Sequence, residues 1–164
     1  MQLGARDDIN IIDRRWPSEH YNDLAKKVLN ELNGSVVFLG EKNDSSICKS
    51  IESNINSNQL INLCGLTTIN QDAAILENCT ILVCNNSGLL PLSVALNTRT
   101  ISFSGGINLA RYSPYFKENH QVILNNASCV ETYCLKCPMK GRACLFPIQP
   151  ETVLSKLKII LSQL

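Results

Sequence analysis

Two clusters in this 164-residue chain combine residue types and spacing that can do chemistry. The first is Asn85-Asn86-Ser87-Gly88, inside ILVCNNSGLLPLSVALNTRTISFSGG, where two short apolar runs bracket a polar, glycine-bearing turn and a helix of small residues. A β-branched run such as Thr80 to Cys84 is too short for a helix and reads as a strand buried on both faces, the kind found in parallel sheets. Ligands of open α/β sheets collect outside the carboxyl ends of the strands, and the helix that follows offers backbone N–H groups to an anion. The same turn can also use Asn and Gly for backbone freedom alone, and the segment by itself leaves both readings open. The second cluster is Cys129, Cys134, Cys137 and Cys144, in CVETYCLKCPMKGRAC. Cys134 and Cys137 have the gap common in zinc knuckles, and four thiolates can satisfy one tetrahedral zinc. A structural ribbon usually has two such pairs, whereas Cys129 and Cys144 stand at irregular distances. Zinc, reduced thiols and a disulfide all fit the pattern, and the spacing favours reduced thiols.

The elements that must position these clusters alternate regularly. Pro17 suits a first helical turn, and Tyr21, Leu24, Ala25, Val28, Leu29 and Leu32 form one apolar stripe before Gly34. Ser35 to Leu39 reads as a strand ending at Gly40. Asp44 can cap a second helix that carries Ile47, Cys48, Ile51 and Ile55, and Leu60 to Cys64 gives a strand ending at Gly65. Thr68 with Gln71 makes a capping box for a third helix through about Cys79. Strands follow near Thr80–Cys84, Thr100–Phe103 and Gln121–Leu124, and Pro150 opens a last helix with Val153, Leu154, Leu157 and Leu161 on one face. Such alternation predicts a Rossmann-like α/β fold, an open parallel sheet flanked by helices with right-handed crossovers, in one domain spanning residues 1–164.

Glycines end the apolar segments at Gly4, Gly40 and Gly65, and Gly88, Gly105 and Gly106 closely follow two others. That puts permissive backbone along one rim of the sheet, with helix N-termini behind it, which favours a diphosphate over a neutral metabolite. There is no GxGxxG fingerprint and no GxxxxGK[ST] loop, so the familiar dinucleotide and NTPase readings lose their main support. With 15 basic and 14 acidic residues, nothing suggests a nucleic-acid footprint or a polybasic membrane patch. No apolar run approaches the roughly 20 residues of a membrane span, so the chain is expected to be cytoplasmic or at a membrane surface. Cys48, Cys64, Cys79 and Cys84 fall in predicted helices and strands and are expected to be buried thiols. His20 and His120 show no ligand or triad spacing and are expected at the surface. Tyr112, Tyr115 and Phe116 are expected to pack their loop.

Taken together, RRWPSEHYNDLAKKV, VVFLGEKND, INLCGLTTINQDAAI, NNSGLLPLSVALNTRTISFSGG and CPMKGRACLFPIQPETVLSKL resemble, in that order, the carboxyl-terminal half of the heptosyltransferases, glycosyltransferase family nine. The resemblance spans nearly the whole chain. It implies the second domain of a B-type glycosyltransferase fold. That domain binds a nucleotide-activated sugar, usually ADP-heptose, across a cleft from a first domain that holds the lipopolysaccharide core acceptor. The chain would then start within the first strand of that half, and the general base would lie in the other domain.

Carried over by residue, the resemblance puts the family's phosphate-contacting basic position on Arg14, with Arg15 beside it, and makes Trp16 a packing residue. Glu41 falls near the carboxylate that meets the ribose hydroxyls. The Asp-Ser/Thr-Gly-x-x-His pattern falls on Asn86, Ser87, Gly88 and Pro91, so Asn86 stands where an aspartate is expected and Pro91 where a histidine is. Arg14, Arg15, Glu41, Asn86, Ser87, Gly88 and Gly105 are therefore the expected substrate-binding set. No cofactor is required if these groups neutralise the phosphates, with zinc at the cysteines as the only metal possibility. An alternative to an inverting transferase is a non-catalytic nucleotide-sugar binding or regulatory module, which the two departures favour.

Overall fold

The computed structural model describes residues 1–3, 15–105, 118–125 and 144–164. Within them five helices and five strands alternate: α1 (Ser18–Glu31), β1 (Val36–Phe38), α2 (Ser45–Ile55), β2 (Leu60–Asn62), α3 (Ile69–Glu77), β3 (Leu82–Asn85), α4 (Leu89–Ala95), β4 (Thr100–Phe103), β5 (His120–Ile123) and α5 (Pro150–Leu161). A 3₁₀ turn, Lys42–Asp44, leads into α2. The expected elements are all present, with strand ends shifted by a residue or two. Cys64 and Cys79 fall just beyond β2 and α3 rather than inside them.

All described strand pairs are parallel. β1 pairs with β2 with Val37 opposite Ile61, β3 with β4 with Val83 opposite Ile101, and β4 with β5 with Ile101 opposite Gln121. Gln2 joins the two groups, forming parallel bridges to Leu39 on one side and Cys84 on the other. Its N–H donates to Val83 O at 2.9 Å, and Leu39 N–H donates to Met1 O at 3.0 Å. The spatial order is therefore β2-β1-Gln2-β3-β4-β5. Counting the first segment as a strand, this is the doubly wound 3-2-1-4-5-6 order, whose switch point lies between that segment and β3.

Alternate side chains of the strands feed two cores. Val36, Phe38, Val83, Ile101 and Phe103 pack with Leu24 of α1, Ile51 of α2 and Val153 and Leu157 of α5. Leu82 and Cys84 pack the other way, with Leu76 of α3 and Leu89 and Leu90 of α4. The sheet is thus covered on both faces, which explains the near-continuous apolar strands. Helix ends follow local chemistry. The Thr68–Gln71 capping box forms, with Thr68 N–H donating to Gln71 Oε1 at 2.9 Å and Gln71 N–H to Thr68 Oγ1 at 3.4 Å. Asn56 ends α2 in the left-handed region at φ 47°. Asp44 precedes α2 but makes no side-chain cap there, because its carboxylate turns back towards the sheet rim.

Both histidines are buried, contrary to the surface placement expected from spacing. His20 lies on the buried face of α1, edge-on to Trp16 at 5.4 Å between ring centroids and tilted against Phe146 at 5.4 Å. His120 begins β5 opposite Thr100, whose Oγ1 is 3.1 Å from His120 Nδ1. Neither position shows in a pattern built on ligand spacing, since each histidine serves as a packing residue of its own element.

Burial lowers the His120 pKa from its ordinary value, and Nε2 is buried with no hydrogen-bond partner among the described residues. The folded chain therefore holds this imidazole neutral while the unfolded chain protonates it at a pKa of about 6.5. The stability it contributes is fully present above that pH and is lost as pH falls through the lower folded value. Urea melts at pH 7.5 and 5.5 are expected to show a loss of stability that is smaller in His120→Gln; an equal loss in both proteins refutes the assignment.

Candidate functional site

The carboxyl ends of the strands gather the groups singled out by sequence, and their placement begins with β3. Asn85 is the last residue of that strand and is 1% exposed. Its Nδ2 donates to Leu3 O at 2.8 Å, and its Oδ1 accepts from Trp16 N–H at 2.8 Å. One side chain therefore ties the first segment and the start of α1 to the switch point. Trp16 stacks on Phe103 at 4.4 Å, and its indole Nε1–H donates to Ile148 O at 2.8 Å, so the expected packing role holds.

Asn86 and Ser87 are half-buried and Gly88 is exposed, in the turn between β3 and α4. Ser87 Oγ donates to Gln2 Oε1, closing the turn onto the central segment. Leu90 N–H bonds to Ser87 O at 3.1 Å and starts α4. Pro91 is the third residue of that helix, within the first turn, where N–H groups lack intrahelical acceptors, so its ring costs no helical hydrogen bond.

Arg15 is largely buried and paired within the protein. Its Nη1 lies 3.3 Å from Asp44 Oδ1, with side chains only 12% and 3% exposed. Asp44 Oδ2 also accepts from Glu41 N–H at 3.0 Å. The buried carboxylate thus joins the loop after β1 to the start of α1, and this second role explains why it leaves the helix N-terminus. Glu41 itself is exposed on the same rim. Arg14, Gly4, Gly106, Tyr112, Tyr115, Phe116, Cys129, Cys134 and Cys137 lie outside the described residues.

The rim glycines separate into two kinds. A Cβ on Gly40 would meet Asp44 Oδ2 at 2.7 Å, and one on Gly105 would meet Cys144 Sγ at 2.7 Å. Gly65 has φ +74°, and its Cβ would come within 2.8 Å of Lys42 Cα. These three allow close approach within the protein. Gly88 has nothing within 4 Å of a Cβ and faces open space, which makes it the described rim glycine best placed for a ligand's approach.

Cys48 and Cys84 are poor candidates for a nucleophile, whereas Cys79, expected to be buried, is partly exposed. Cys48 and Cys64 are buried with Sγ atoms 2.7 Å apart, and their hydrogen bond and burial push the Cys48 pKa up. Burial pushes Cys84 up to about 12. Thiols shifted this way stay protonated at neutral pH. Cys144 is buried against Gly105 in the main core, and among the described residues no three or more His, Cys, Asp or Glu side chains form a group that could hold a metal.

Because the Arg15–Asp44 pair is buried and also satisfies a backbone N–H, removing one partner leaves an uncompensated charge. Asp44→Ala is expected to lose about 3 kcal/mol of stability in urea melts, and Asp44→Asn about half of that because it retains the acceptor for Glu41 N–H. Equal stability of wild type and Asp44→Ala rules out this brace.

The family model described as glycosyltransferase family 9 (heptosyltransferase) matches residues 2–142. Lipooligosaccharide heptosyltransferase 2 of Campylobacter jejuni is 26% identical over 155 residues, covering 90% of this chain and 47% of that protein. The solved structure of ADP-heptose lps heptosyltransferase II from E. coli superposes with a TM-score of 0.77 at 27% identity, covering 99% of this chain and 45% of that one. E. coli heptosyltransferase WaaC with ADP has the same fold at a TM-score of 0.73 and 17% identity, over 97% of this chain and 43% of that one. The chain thus spans about half the length of the relatives it matches. A doubly wound sheet with a polar, glycine-bearing switch point and a family match over most of its length place this chain in glycosyltransferase family 9, the heptosyltransferases.

Proposed function

We propose that this chain is the donor-binding half of an inverting glycosyltransferase. In this reading it moves heptose or a related sugar from a nucleoside diphosphate, with ADP-heptose the favoured donor, to a lipopolysaccharide core acceptor. The observation that carries the reading is the polar turn Asn86–Gly88, open at Gly88, at the switch point of a family 9 fold. The named relatives act as heptosyltransferases, and one solved relative holds ADP. The diphosphate would lie along Arg14, Ser87, Gly88 and Gly105, with Asn86 towards the sugar and Glu41 towards the ribose.

Transfer of this kind needs negative charge on the leaving diphosphate to be stabilised and the acceptor hydroxyl to be deprotonated. The rim would supply the first through backbone amides near Gly88 and the Arg14 guanidinium, and through the Ser87 hydroxyl once it exchanges its bond to Gln2 for the ligand. The second is assigned to a base in the domain across the cleft, where the acceptor would sit. Arg15 contributes indirectly in this scheme, since Asp44 already holds its guanidinium. No helix among the described residues is long and apolar enough to cross a membrane. Work at the cytoplasmic face of the inner membrane is part of the proposal and follows from the acceptor's chemistry.

A second reading rests on Asn86 and Pro91. An asparagine lacks the charge that favours a developing positive sugar centre, and a proline supplies no imidazole, so a nucleotide-sugar binding module without turnover fits those two positions.

Calorimetric titration of the chain with ADP is expected to show weak binding, reduced about tenfold in Arg14→Ala. Amide-shift mapping should place ADP at Ser87, Gly88 and Gly105, and mapping to the opposite edge of the sheet refutes the site. Donor turnover by the 164-residue chain is expected to be absent; turnover with a heptose-deficient lipid acceptor would put the whole catalytic apparatus in this half.

A further inference from the structure

Asn85 was not in the expected substrate-binding set, yet its side chain makes two buried long-range hydrogen bonds. It sits at the carboxyl end of β3, beside the switch point, and is buried. Its amide donates to Leu3 O and accepts from Trp16 N–H, partners 82 and 69 positions away in sequence. Asn86 and Ser87 follow it directly, and Ser87 bonds Gln2, the neighbour of Leu3. Trp16 is the second residue after Arg14. The same side chain therefore fixes three pieces of backbone that converge on the rim: the end of the first segment, the start of α1, and the β3–α4 turn.

We propose that Asn85 is a positioning residue for diphosphate binding, acting through Leu3 and Trp16 rather than by touching the ligand. This inference rests on the donor-site reading above. The chemistry suits an asparagine specifically, because the two backbone groups demand one donor and one acceptor from a single planar amide. An aspartate lacks the donor, and an aliphatic residue of similar size lacks both. Without the amide, Leu3 O and Trp16 N–H are left as buried, unpaired backbone groups, and the two segments can relax apart. A ligand that needs donors from both sides of the switch point then meets a site that must be ordered at the expense of binding.

The chain has a single tryptophan, so Trp16 reports on this latch directly. The test compares wild type, Asn85→Leu, Asn85→Ala and Leu76→Ala, the last a core change in α3 that serves as a control for general destabilisation. Trp16 emission and Trp16 amide exchange are measured with ADP affinity by calorimetry. In whichever Asn85 variant folds, the emission is expected to shift to the red, Trp16 exchange to quicken and ADP to bind about tenfold more weakly, while Leu76→Ala keeps wild-type affinity. Affinity within twofold of wild type in an Asn85 variant whose Trp16 exchange has quickened overturns the inference and leaves the donor site standing. Unchanged Trp16 exchange, or an equal affinity loss in Leu76→Ala, also overturns it. If wild type itself binds no ADP, the donor-site reading fails and this inference fails with it.

Discussion

Three residues of backbone in the middle of the sheet hold the structure together. Gln2 bridges β1 and β3, with Leu39 N–H bonded to Met1 O and Gln2 N–H to Val83 O. Without that segment the chain has a two-stranded group and a three-stranded group, each with exposed ladder groups along an inner edge. Unpaired backbone donors and acceptors are costly when buried, so the central slot must be filled for α1, α2 and α5 to share one core across the strands of both groups. The same segment creates the switch point. The strand order reverses there, and in open α/β sheets ligands bind outside the carboxyl ends of the strands at such a point.

The polar groups at this rim bond to one another. Ser87 bonds Gln2, Asn85 bonds Leu3 and Trp16, and Asp44 bonds Arg15 and Glu41. In a region this buried, each pairing offsets a desolvation cost and also fixes a loop relative to its neighbour. That is the physical content of preorganisation at this rim: loops after β1 and β3 and the start of α1 are held before any ligand arrives. It also distinguishes residues by what they have left to offer. Asp44 and Arg15 form an ion pair with each other, whereas Gly88 leaves an open surface of backbone.

Much of the fold was legible because its signals are local. A parallel strand buried on both faces is a short apolar run, as at Leu82–Asn85, and a capping box such as Thr68–Gln71 declares a helix start within four residues. The Rossmann-like fold class was legible in the alternation of these elements, and the resemblance agreed with it, whereas the strand order emerges only when Gln2 pairs with Leu39 and Cys84. The site was less legible, since the roles of its polar residues are set by distant partners. Asp44 looked like a cap for α2, and only the approach of Arg15 turns its carboxylate elsewhere. His20 and His120 looked exposed because spacing tests for ligands and triads, not for a ring stacked near Trp16 or an imidazole opposite Thr100. Asn85 offered no sequence signal of its double bond, because its partners meet it only when the first segment enters the sheet.

The departures from the family pattern at Asn86 and Pro91 can now be separated into fold and chemistry. Pro91 occupies the first turn of α4, where the helix loses no internal hydrogen bond, and it is exposed, so the backbone accommodates it. Asn86 stays half-buried in a turn whose shape is set by its neighbours, Asn85 below and Ser87 above. Neither substitution therefore disturbs the latch between Gln2, Leu3 and the β3 terminus. Their consequence is electrostatic: relative to the pattern that the resemblance implies, the turn carries one negative charge and one titratable ring fewer. A diphosphate, which carries charge of its own, is opposed less by this turn than by one bearing an aspartate. A sugar centre that develops positive charge during transfer is supported less. In the proposed donor-binding role, the same two residues would therefore favour retention of a nucleotide over acceleration of a chemical step, and that balance would turn on the side chains of the turn rather than on the fold beneath it.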